Sequence, residues 1–217
     1  MALQLPHSVF YHIPRTGGVW VREAIHRVGI PTSEIAGSDI CGKESLREVR
    51  YAFFHASPHE VSLQDKFNFC FVRHPLTCYQ SEWSFFMKRN WPGDGLFIRQ
   101  VRSENFEEFV RKLIEYRPAY ISQRYRLFES ADFIGHYESL ADDLVRALRM
   151  GGETFDEQLL CSAPPANTAS KDPDLRERCQ YSEALRKLVL EVEREAIEKY
   201  GYAEDPVILG QPVCIAE

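Results

Sequence analysis

Twice along this chain a short apolar run stops beside a proline and an amphipathic stretch begins within a few residues. His7 to Ile13 (HSVFYHI) reads as a strand, and Pro14 ends it because proline has no N–H to donate to a ladder. Beyond Gly17 and Gly18, residues Val19 to Val28 read as a helix carrying Trp20, Ala24 and Val28 on one face, stopped by Gly29 and Pro31. Lys66 to Val72 (KFNFCFV) repeats the pattern. Phe67, Phe69 and Phe71 alternate with other residues, and Cys70 and Val72 are apolar too, as expected for a strand covered on both faces. A helix over Leu76 to Met87 follows directly. Strands linked through helices predict an α/β domain on a parallel sheet, with ligands bound beyond the strand C-termini.

The rest of the chain fits that frame. Tyr51 to His55 (YAFFH) reads as a further strand. Asn105 opens a helix through Tyr116, with Glu108 three residues on as in a capping box. Asp132 to Gly135 reads as a short edge strand leading into His136-Tyr137-Glu138. Leu140, Leu144, Val145 and Leu148 mark an amphipathic helix closed by Gly151-Gly152. A last helix over Ser182 to Tyr200 carries Leu185, Leu188, Val189, Val192, Ala196 and Ile197 on one stripe. The expectation is one domain over residues 1–217, three-layered, with a central parallel sheet flanked by helices.

Composition narrows the ligand. With 26 basic and 32 acidic residues the net charge is −6, which argues against nucleic acid or an acidic membrane as partner. An anion must therefore be held by a local cluster. The six cysteines show neither a C-x-x-C pair nor zinc-ligand spacing. No signal-peptide pattern and no run of membrane-span length occurs, so the expectation is a cytoplasmic protein with reduced thiols and no membrane partner.

The turn Pro14-Arg15-Thr16-Gly17-Gly18 has the ingredients of an anion site. Its glycines allow close backbone approach, and the first N–H groups of the following helix point at a ligand that the helix dipole favours. Thr16 offers a hydroxyl and Arg15 a charged fork. The G-x-x-x-x-G-K-[ST] pattern is missing, which disfavours a metal-dependent kinase or ATPase.

These residues resemble those of sulfotransferases that use 3′-phosphoadenosine 5′-phosphosulfate (PAPS). Ile13-Pro-Arg-Thr-Gly-Gly is similar to that family's P-K-[ST]-G-[GT] loop, with Arg15 where lysine is usual. Phe69-Cys-Phe-Val-Arg-His-Pro-Leu resembles the second signature, and Ser81 follows Arg73 at the family's spacing of eight residues. The resemblance implies a P-loop nucleoside-triphosphate-hydrolase-like sulfotransferase fold, PAPS as donor, 3′-phosphoadenosine 5′-phosphate (PAP) as product, and no metal. It also implies roles: Arg15, Thr16, Gly17, Gly18 and Val19 at the phosphosulfate, and Arg73 with Ser81 at the 3′-phosphate. Trp20 would pack on adenine or simply in the core, Tyr137 would meet the adenine edge, and Lys171 would assist the 3′-phosphate. The resemblance leans toward the carbohydrate-modifying branch, so the expected acceptor is a hydroxyl or an amine of a carbohydrate or small molecule, with a peptide tyrosine as an alternative.

The acceptor must lose a proton, and histidine has a pKa suited to that. His55, ending Tyr51-Ala-Phe-Phe, matches the family's position best, with His59 and an acidic residue as alternatives. Arg15 is expected to assist the departing phosphate electrostatically. Two rival readings stand beside this one: a nucleotide-binding module without catalysis, and a metal-dependent nucleotide phosphotransferase of the same fold.

Overall fold

The structure, a computed structural model, describes residues 2–35, 58, 65–93, 95–164 and 172–203. The strand expected over Tyr51–His55, the candidate bases His55 and His59, and Lys171 lie outside the described residues. Five strands are present among the described residues: β1 (Ala2–Gln4), β2 (Ser8–Tyr11), β3 (Ser33–Ile35), β4 (Phe67–Val72) and β5 (Phe133–His136). The helices are α1 (Gly18–Arg27), α2 (Pro75–Lys88), α3 (Leu96–Val101), α4 (Phe106–Tyr116), α5 (Tyr120–Arg126), α6 (Leu140–Met150), α7 (Glu157–Cys161), α8 (Pro173–Arg178), α9 (Glu183–Val192) and α10 (Arg194–Lys199).

The sheet runs β3-β1-β2-β4-β5. β2, β4 and β5 are parallel, as the strand–helix pattern predicts, with Phe10 opposite Phe69 and Phe71 opposite Gly135. The expectation of a parallel sheet throughout is corrected by β1 and β3. β1 pairs antiparallel with both β2 and β3, so the sheet is mixed. The physical reason is chain length: only residues 5–7 separate β1 from β2, enough for a tight reversal but far short of a parallel crossover.

Alternation along the central strands divides the interior into two cores. Val9, Tyr11, Cys70 and Val72 face one side, where they meet Trp83 of α2, Phe109 of α4, Ile121 of α5 and Val189 of α9. Phe10, Phe69 and Phe71 face the other, against Val21 and Ile25 of α1, Leu144 and Leu148 of α6 and Leu160 of α7. Helices thus cover both faces. Among the described residues no helix is long and apolar enough to cross a membrane.

Local chemistry accounts for most boundaries. Pro75 occupies the first turn of α2, where its missing N–H costs nothing, and the His74 ring caps the helix by accepting from the Leu76 N–H. The Asn105 side chain accepts from the Glu108 N–H at 2.9 Å to open α4. The helix expected over Ser182–Tyr200 is two helices, α9 and α10, meeting at Glu193. Its carboxylate turns fully inward and accepts from the Ile121 and Ser122 N–H groups at 3.0 and 2.8 Å. These are first-turn donors of α5, whose own N-cap, Ala119, has no side chain to offer.

Candidate functional site

The two strand–turn–helix units place their turns side by side, because β2 and β4 are parallel neighbours. Beyond β2, the loop 14–17 leads into α1. Arg15 sits at φ +68° and Gly17 at φ +87°. A left-handed residue other than glycine is held at a cost of about 1–2 kcal/mol, so Arg15 marks a loop whose shape is imposed from outside. Gly17 packs under Tyr137 and Leu140, and a Cβ there would lie 2.5 Å from Leu140 Cδ2. A Cβ on Gly18 would fall 2.1 Å from the His12 ring. Glycine is required at both positions, by backbone angle at the first and by close approach at the second.

Arg15 and Ser81, 66 residues apart, are brought together. The Arg15 Nε and Nη2 donate to Ser81 Oγ at 3.1 and 3.0 Å, and the guanidinium lies over the Phe85 ring at 4.5 Å. Ser81 and Phe85 are successive members of one stripe of α2 that begins at Thr77. Arg73 donates from Nε to Thr77 Oγ1 at 3.0 Å and from Nη1 to the Arg15 carbonyl at 3.2 Å. Its guanidinium stacks on Tyr137 at 4.0 Å. The Tyr125 hydroxyl clamps the Arg73 backbone, accepting from its N–H at 3.0 Å and donating to its carbonyl at 2.7 Å. Arg15, Ser81, Arg73 and Tyr137 therefore form one constellation with the loop glycines.

The other expected residues lie around it, with Trp20 in the core, one of the two places expected for it. The Thr16 hydroxyl, expected to face an anion, is buried and donates to the Ile13 carbonyl at 2.9 Å, closing the turn. Trp20 packs against the second core, and its Nε1 donates to the Ala163 carbonyl at 3.3 Å. Val19 is exposed at the start of α1. His74 and His136, beside Arg73 and Tyr137, face the C-terminal segment. The His74 Nε2 donates to the Ala203 carbonyl, its Nδ1 being engaged by Leu76, and the His136 Nε2 meets the Tyr200 carbonyl, both at 2.9 Å. Tyr202 stands edge-on to both rings, with centroids 5.1 and 5.3 Å away.

The sequence reading missed Arg124 and Glu82. Arg124 is 4% exposed on α5 and donates from Nη1 to the Pro14 carbonyl at 3.2 Å. Its Nη2 meets Glu82 Oε1 at 3.4 Å, and its guanidinium covers Tyr120 at 4.4 Å. Burial by itself pushes the Arg124 pKa down, but Tyr120 and Glu82 outweigh it and the net direction is up. The signal that would have found α5 is the spacing of Tyr120, Ile121, Arg124 and Tyr125, a buried helical stripe with one charge in it.

Three guanidinium groups, of Arg15, Arg73 and Arg124, converge on one turn; among the described residues Arg124 forms an ion pair, with Glu82, and Arg15 and Arg73 form none. That excess of positive charge in a half-buried place suits an anion of two charges. Burial draws the Arg15 pKa down, with Glu82 opposing and Arg73 adding to the effect. His12, under Gly18, is held neutral. Burial is the largest cause that brings its pKa down to about 3, and the Arg22 and Arg15 charges are among those that add to it. No group of three or more potential metal ligands occurs among the described residues.

No family model, curated protein or solved structure matches this chain. The arrangement of its own side chains is therefore what speaks for its chemistry.

Proposed function

We propose that this chain is a sulfotransferase that moves a sulfuryl group from PAPS to a hydroxyl of a carbohydrate or small-molecule acceptor, on a P-loop-like sulfotransferase fold. One observation carries the reading: Arg15 and Ser81, from separate strand–turn–helix units, meet at 3.0 Å, with Arg73 hydrogen-bonded to the same loop. A nucleotide with a phosphosulfate at one end and a 3′-phosphate at the other needs two adjacent anion subsites, and those three residues with Gly17 and Gly18 offer both. Tyr137, already under the Arg73 guanidinium, offers an aromatic face to the base.

In this reading the acceptor oxygen attacks sulfur in line, the S–O bond to the 5′-phosphate breaks, and PAP departs with the bonding pair. Arg15 and the first N–H groups of α1 offset the charge that grows on the departing phosphate. Arg15 acts by charge alone, since a guanidinium does not give up its proton at working pH. His55 takes the acceptor proton.

The test is thermal stabilisation by PAP compared with AMP and with ATP plus magnesium. A ligand at a hundred times its Kd adds about 2.7 kcal/mol, a rise of roughly 5–10 °C for a domain of this size. PAP is expected to give that rise and AMP much less, with Arg73→Ala abolishing the difference. Equal responses to PAP and AMP would refute the assignment of Arg73 and Ser81 to a second phosphate.

A further inference from the structure

Arg15 is the strained point of the loop, and both peptide units flanking it are tied down by arginines. A residue's φ is set by the peptide before it and its ψ by the peptide after it. The carbonyl of the preceding unit, Pro14 O, accepts from Arg124 Nη1 at 3.2 Å. The carbonyl of the following unit, Arg15 O, accepts from Arg73 Nη1, also at 3.2 Å. Between these two restraints Arg15 stands at φ +68°, a conformation that an L-residue with a long side chain rarely adopts unheld.

Arg73 is already assigned to the ligand, but Arg124 is not. It is 4% exposed, too enclosed to reach a nucleotide. What it touches is the loop carbonyl, Glu82 and the Tyr120 ring. Glu82 directly follows Ser81 on α2, so the Arg124–Glu82 pair joins the helix that carries Ser81 to the loop that carries Arg15. A trans peptide is planar, with its N–H opposite its C=O. Pinning the Pro14 carbonyl toward Arg124 therefore turns the Arg15 N–H the other way, and fixes the direction in which the Arg15 side chain leaves the loop.

Building on the donor-loop reading above, we propose that Arg124 is a positioning residue that holds Arg15 in its left-handed conformation and so presets the loop for the anion. Its contribution to binding is the pre-organisation of a strained turn, realised before the ligand arrives.

A double-mutant cycle read by titration calorimetry tests this, with PAP and, in parallel, inorganic pyrophosphate as probes. Arg124→Met is made together with Glu82→Gln, so that no carboxylate is left buried without its charge partner. Glu82→Gln alone is the reference, and melting curves establish that each variant is folded. Against that reference, Arg124→Met is expected to weaken PAP binding about tenfold, the size of one lost hydrogen bond to a charged group. In an Arg15→Gly background, where a positive φ needs no restraint, the same change is expected to cost no more than about twofold. Equal losses in the two backgrounds, or no loss in either, overturn the proposal. Arg124→Lys keeps the charge but not the two-pronged reach to Pro14 and Glu82, and is expected to bind weakly as well. Full affinity in that variant would mean that charge alone matters and would overturn the positioning role. Where Arg124→Met melts below the assay temperature, Arg124→Lys carries the cycle in its place. A wild type that binds pyrophosphate without preferring PAP refutes the donor reading alone, and the cycle with pyrophosphate still decides the role of Arg124. A wild type that binds neither refutes both.

Discussion

Replacing Glu193 by glutamine changes one atom, and the surroundings of that atom give the expected cost. The carboxylate is fully buried and accepts four hydrogen bonds. One oxygen takes the Tyr79 hydroxyl at 2.8 Å and the Ile121 N–H at 3.0 Å. The other takes the Ser122 N–H at 2.8 Å and the Ser122 hydroxyl at 2.6 Å. An amide keeps acceptor capacity at one end only. Whichever way it turns, its NH2 faces a main-chain N–H that has no freedom to rotate away, while the hydroxyls can reorient. One buried donor is left without an acceptor, which costs about 1–3 kcal/mol, and the bonds that survive lose their charge assistance. The sum is about 2–4 kcal/mol, or roughly 5–15 °C in melting temperature for a chain of this length. Calorimetric melts of wild type, Glu193→Gln and Glu193→Ala, side by side, make the measurement. Alanine should fall furthest, since it orphans both N–H groups and opens a cavity. Because α5 also carries Arg124, PAP affinity should drop in Glu193→Gln even well below its melting point. A glutamine variant melting within a degree or two of wild type would show that Glu193 does not act as the distant cap of α5.

Other outcomes follow from the same contacts. Gly18→Ala should destabilise by about 1–3 kcal/mol through overpacking against the His12 ring, with its Cβ 2.1 Å from that ring; Gly29→Ala, whose Cβ meets nothing within 4 Å, is a comparison that isolates the cost of a positive φ. Both are read from denaturant midpoints. His12 has a folded pKa held at about 3 against its usual 6.5, so the unfolded chain takes up a proton first as pH falls. Stability tied to His12 is complete above about 6.5 and declines as pH drops toward 3; His12→Phe should flatten that part of a stability–pH curve. The Asp143–His136 pair carries two slopes of opposite sense. Burial alone would raise the Asp143 pKa, but hydrogen bonds from His136 and Ser139 and the Arg146 charge bring it to about 2, so its contribution is lost as pH falls from about 4 toward 2. The hydrogen bond with Asp143 raises the His136 pKa above 6.5, so its contribution is complete below 6.5 and is lost as pH rises through the raised value. Asp143→Asn should remove both slopes, as measured by urea unfolding across the pH range.

Local pattern carried much of the architecture. Residues Phe69–Val72 are apolar at four successive positions, and only a strand between two helical layers buries all of them. Pro14, Gly17 and Gly18 marked the turn between β2 and α1, because their backbone limits act wherever they stand in the chain, although β2 ends at Tyr11, before the Ile13 expected. Two parallel neighbouring strands of one sheet end on the same side, and this brings together Arg15, Arg73, Ser81 and Tyr137, the residues that the family resemblance grouped.

Partner choice lies beyond such local rules. β1 is three residues long, and its antiparallel place between β2 and β3 depends on which edge is open to it. Thr16 looked like an anion donor because its hydroxyl could serve either purpose; folding turned it to the Ile13 carbonyl three residues back. Arg124 and Glu193 show the same limit most clearly. Each satisfies main-chain groups about 110 and 72 residues away, and nothing in the neighbouring sequence records a contact that exists only once the helices have packed. Residue type and spacing settle which segments form helices, strands and the glycine turn between β2 and α1, since those depend on backbone limits and periodic burial. Which side chains hold that loop in its strained shape is a matter of three-dimensional packing, because a buried charge takes its meaning from the groups folding brings to it.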